Sequence, residues 1–63
     1  MSHHNSPKWQ AAKAARNDPR WRKAQAAFLA EYDDLDPDQA VFERIKAICL
    51  MREIEREYEA RAA

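Results

Sequence analysis

Glycine and threonine are absent from this 63-residue sequence, cysteine occurs once and proline three times. Glycine is the usual residue for hairpin turns and for backbone that must approach a phosphate closely, so phosphate-cradling loops are excluded. β-Branched residues reduce to Val41, Ile45, Ile48 and Ile54, which leaves little from which to build a sheet. Cys49 has no partner for an intramolecular disulfide, and no Cys/His set has the spacing of a structural zinc site. No apolar run approaches the ~20 residues that span a bilayer, and the N-terminus lacks the basic-then-apolar pattern of a signal peptide. These absences predict a soluble, cytoplasmic chain with a reduced thiol, no membrane partner and no cofactor.

What remains is dominated by alanine, glutamate, arginine, lysine and glutamine, all good helix formers, and predicts an all-α fold. At this length the chain holds one domain with a marginal core, so packing between helices or between copies must supply the stability. Residues 1–5 are expected to be disordered and 6–63 to form a single small helical domain. Ser6 before Pro7, Asp18 before Pro19 and Asp36 before Pro37 each read as an N-cap followed by proline at the first helical position. Asp36 and Gln39 add the spacing of a capping box. The predicted helices run over about 7–17, 19–33 and 37–61, arranged as a bent helical hairpin or an open bundle.

The phrase Pro7, Lys8, Trp9 recurs twelve residues later as Pro19, Arg20, Trp21, and alanines follow both times. Helix initiation explains the prolines and helix propensity the alanines. In the second helix Trp21, Ala24, Phe28 and Tyr32 recur at three- and four-residue steps, which makes Trp21 a core anchor. Trp9 shares its side of the first helix with Lys13 and Arg16, and only Ala12 extends an apolar patch there.

The third helix has two apolar faces. At 100° per residue Val41, Phe42, Ile45, Ile48 and Cys49 share one side, whereas Met51, Ile54 and Tyr58 lie nearly opposite with Leu50 beside them. The two preceding helices, laid end to end, match its length but cannot cover both sides. The first helix is poor in large apolar residues, so the face of Leu50, Met51, Ile54 and Tyr58, with Trp9, is expected to meet a partner: another copy or a larger protein.

Charge is divided as sharply. Residues 1–30 carry six bases against one acid, and residues 31–63 carry ten acids against five bases. A second reading therefore makes Lys8, Lys13, Arg16, Arg20, Arg22 and Lys23 phosphate contacts of a small nucleic-acid-binding protein, with Trp9 stacking or wedging. A third use of the same charges is pairing within the chain, with helical pairs such as Glu43 with Lys46 and Glu57 with Arg61 on a solvated surface.

Catalysis has little to work with. His3 and His4, the only histidines, are adjacent in the N-terminal tail and read as incidental or tag-like rather than as a metal site. Cys49 sits among Ile45, Ile48 and Leu50, where a thiol is expected to act as a small buried hydrophobe. The carboxylates from Glu31 to Asp38 lack the alternation, central glycine and terminal glutamate of a calcium loop. The expectation is a non-enzymatic protein without metal or small-molecule substrate. The stretch from Arg20 to Tyr32 resembles the helical lead-in of phage-type HNH endonucleases over thirteen residues. Nothing after Tyr32 supplies that family's cysteine pairs or its His, Asn and His residues, so its activity is not carried over.

Overall fold

Each described proline opens a helix, because its fixed φ suits the first turn and its missing amide hydrogen is one that a helix start leaves unbonded anyway. In the computed structural model, which describes residues 7–62, α1 spans Pro7–Arg16, α2 Pro19–Leu29 and α3 Pro37–Ala62. No strand occurs among the described residues. The all-α expectation therefore holds; the expectations for residues 1–5, including His3 and His4, and for the Ser6 cap fall outside the described part. The molecule is elongated, 46 × 20 × 18 Å, as a 26-residue helix of about 39 Å requires.

α1 and α2 lie end to end along α3 and scarcely touch each other. Pro7 and Lys8 sit near Glu59 and Ala62, and Ala24 and Ala27 near Ala47 and Leu50, so both short helices run antiparallel to the long one. This is the bent hairpin. α2 stops four residues before the predicted Asp33. Asp33 and Asp34 would place carboxylates at the negative end of the helix dipole, and α2 has no basic residue in its last turn to offset them. Its end is instead fastened by side chains: the Tyr32 hydroxyl donates to the Ala27 carbonyl, and the Arg44 guanidinium donates to the Ala30 carbonyl at 3.4 Å while lying over the Tyr32 ring.

The core follows a seam on α3 that steps alternately by four and three residues: Ala40, Arg44, Ala47, Met51, Ile54 and Tyr58. Such spacing keeps one narrow stripe facing a neighbouring helix. Ile54 is fully buried against Ala15 and Trp21, with Met51 and Tyr58 packed around them. The remaining buried apolar positions are alanines: Ala11 on α1, Ala24 on α2, Ala40 and Ala47 on α3. Facing alanines let helix axes approach closely, and alanine loses no side-chain entropy on burial.

This arrangement overturns the expected use of α3. The face of Met51, Ile54 and Tyr58 is the interior one, covered by α1 and α2, and the face of Val41, Phe42, Ile45 and Ile48 is the exposed one. The physical reason lies in α1, whose lack of large apolar residues does not prevent docking because Ala15 packs flat against Ile54 and Ala11, one turn earlier, is buried as well. Cys49 is likewise exposed rather than buried.

Candidate interaction face

The elbow between α1 and α2 holds the most connected polar group among the described residues. Asp18, only 9% exposed, caps α2 by accepting from the Arg20 amide at 2.8 Å. Its carboxylate also accepts from Arg20 Nε at 3.1 Å, Arg20 Nη2 at 3.0 Å and the Tyr58 hydroxyl at 2.7 Å. Arg20 reaches on to Glu57 at 3.1 Å, and the Trp21 indole donates to Glu55 at 2.9 Å. Elbow and α3 are thereby joined by oriented bonds as well as by packing.

Ionisation follows from these contacts. The Arg20 guanidinium, then the Tyr58 hydroxyl, hold the Asp18 carboxyl well below the usual carboxylate range. Arg20 is held more firmly protonated by Asp18 and Glu57, and the hydrogen bond to Asp18, with burial, pushes the Tyr58 phenol up. Asp18 is fully engaged by donors inside the chain. It is a structural junction.

The six bases divide into two groups. Arg20 is held by Asp18 and Glu57, and Arg22 closes the end of α1 by donating to the Arg16 carbonyl at 3.2 Å and to Asn17 Oδ1 at 3.1 Å. Lys8, Lys13, Arg16 and Lys23 are exposed, with the Lys13 ammonium 5.3 Å above the Trp9 ring. Trp9 itself is 39% exposed. Among the residues expected to meet a partner, Leu50 and Trp9 are at the surface; Met51 and Tyr58 are half-buried and Ile54 is inaccessible.

The surface feature that sequence reasoning assigned to the interior is a stripe on α3. Val41, Phe42, Ile45 and Ile48 are 53, 59, 51 and 37% exposed, and the exposed Cys49 completes the patch. With Cys49 they occupy about a third of the helix circumference over roughly 12 Å of axis. A soluble monomer seldom leaves so many large apolar side chains together in water. Beside the stripe, α2 and α3 enclose an open groove of about 420 Å³ floored by Ala24, Ala27, Ala47 and Leu50 and rimmed by Arg20, Lys23, Glu43 and Lys46. Glu43 and Lys46 pair with each other at 3.2 Å across that rim.

Among the described residues no three His, Cys, Asp or Glu side chains are gathered as a metal would need, and no helix is long and apolar enough to cross a membrane. Compared with known proteins, the chain matches no family model, no curated protein and no solved structure.

Proposed function

We propose that this chain is a small, non-catalytic helical interaction module, acting in the cytoplasm, that docks on protein through the exposed face of α3. One observation carries the reading: Val41, Phe42, Ile45 and Ile48 remain largely solvent-exposed in a chain whose opposite α3 face is already filled by its own α1 and α2. Taking such a side chain wholly out of water is worth about 1.5–3 kcal/mol, and roughly half of that remains to be gained at each of these four on association. A reducing compartment suits the exposed Cys49. The geometry favours this reading over duplex binding, because Arg20 and Arg22 are bonded within the chain, which leaves only Lys13 and Arg16 together beside Trp9, with Lys8 and Lys23 apart from them. Titration with duplex at ~50 mM salt is accordingly expected to show no salt-dependent affinity.

Photo-crosslinking in cells tests the docking face. A photoreactive residue in place of Ile45 should give a discrete adduct. The same residue in place of Glu59, on the same side of α3 but beyond the stripe, should give none. Equal labelling at both positions, or none at either, would refute the reading.

A further inference from the structure

The exposed stripe has a symmetry that identifies its occupant. Its five members, Val41, Phe42, Ile45, Ile48 and Cys49, are spaced symmetrically about Ile45: Phe42 and Ile48 lie three residues away on either side, and Val41 and Cys49 lie four. Extending the same symmetry by three more residues reaches Asp38 on one side and Arg52 on the other, both exposed and of opposite charge. Among the described residues neither side chain has a hydrogen bond or ion pair, whereas those of Glu43, Lys46, Glu57 and Arg61 are all paired.

A two-fold axis brings a surface against itself, so each residue must suit its own symmetry mate. Two α3 helices crossing antiparallel at Ile45 satisfy that condition at every position of the stripe and at the charged pair beyond it. Ile45 meets Ile45, Phe42 meets Ile48, Val41 meets Cys49, and Asp38 of each copy faces Arg52 of the other. A parallel pairing would instead set Asp38 against Asp38 and Arg52 against Arg52, like charges that cost stability.

We propose that the occupant of the α3 face is a second copy of this chain, bound antiparallel about a two-fold axis through Ile45 and keyed by two Asp38–Arg52 ion pairs. The inference rests on the reading above that this face docks on protein, and it adds the partner and the register. Segment 38–52 is about 21 Å long, so the interface is small and association is expected at micromolar chain concentration or above.

Sedimentation equilibrium on the full chain and three variants tests the partner and the charge key. Ile45→Glu should weaken dimerisation by at least ~100-fold, because it sets two carboxylates together at the axis. Arg52→Asp should weaken it about tenfold, and adding Asp38→Arg should restore it to within about threefold of wild type. The register is read separately by mild oxidation. Ile45→Cys combined with Cys49→Ser should form an interchain disulfide quickly, whereas native Cys49 should not, since the antiparallel register separates the two Cys49 residues by about 12 Å along the axis. Faster linkage through Cys49 than through position 45, or failure of the charge exchange to restore dimerisation, would overturn the proposal. A strictly monomeric wild type would also overturn it, and in that case an adduct from position 45 with a different protein would leave the docking reading standing while the absence of any adduct would remove both.

Discussion

The two sides of α3 are made of similar residues and meet opposite fates. One side places Met51, Ile54 and Tyr58 against α1 and α2, and the other places Val41, Phe42, Ile45 and Ile48 in water. Apolar content does not separate them, since the exposed side is the richer in β-branched and aromatic residues. Placement along the helix does. The interior seam continues from Ala40 to Tyr58 at steps of four and three, long enough to be covered by two helices laid end to end, whereas the outer stripe is interrupted after Cys49 by Arg52, Arg56 and Glu59. Two helices laid in line need the longer stripe to pack on, and the shorter one is left in water.

The same charge placed on each side of α3 should have very different effects. Ile54→Glu puts an unpaired carboxylate where no water reaches and should cost more than about 4 kcal/mol, enough to abolish cooperative unfolding in a domain of this size. Ile45→Glu, already half in solvent, should leave the thermal midpoint within a few degrees of wild type at dilutions where dimers are absent. Circular dichroism melts of both variants check the pair, and equal destabilisation would erase the distinction between the faces.

A smaller effect sharpens the account of how α1 covers Ile54. Ala15 is fully buried, so Ala15→Leu should push α1 off α3 and cost about 1–3 kcal/mol in urea unfolding. A neutral result would mean that α1 does not press on the seam.

The third expectation concerns the elbow and is read through pH. Because the native Asp18 carboxyl titrates below its unfolded value, its stabilisation is complete above pH ~3.9 and is lost as pH falls from there toward the depressed native value. Tyr58 is shifted the other way, so its contribution is present below pH ~10 and is lost as pH rises through the raised native value. Melting temperatures of Asp18→Asn should therefore fall less steeply below pH 4 than those of wild type, and those of Tyr58→Phe less steeply above pH 10. Parallel curves would show that the Asp18–Tyr58 bond does not couple elbow to helix.

Much of this architecture was legible in the sequence. The prolines marked all three described helix starts, Asp18 was identified as a cap, and Trp21 was assigned to the core by its stripe. The division of charge between the two halves was legible too, and the Arg20–Glu57 bridge is one use of it. The choice of face was not. Periodicity ranks faces by large apolar residues, and on that measure the outer stripe of α3 wins; what decided the packing was a run of alanines on three helices, whose value lies in letting backbones approach and which no hydrophobicity pattern rewards. The role of Arg20 and Arg22 was hidden for a related reason, since a basic residue one turn from an elbow looks the same in sequence whether it faces a phosphate or the neighbouring carbonyl.

One measurement on the unmodified chain tests the assignment of the two faces most directly, because its single cysteine lies on the stripe. At sub-micromolar concentration, where self-association is negligible, Cys49 should react with a disulfide reagent such as DTNB within a few-fold of its rate in denaturant. Protection of that thiol by 100-fold or more in the folded chain would place the stripe in the interior and contradict the account.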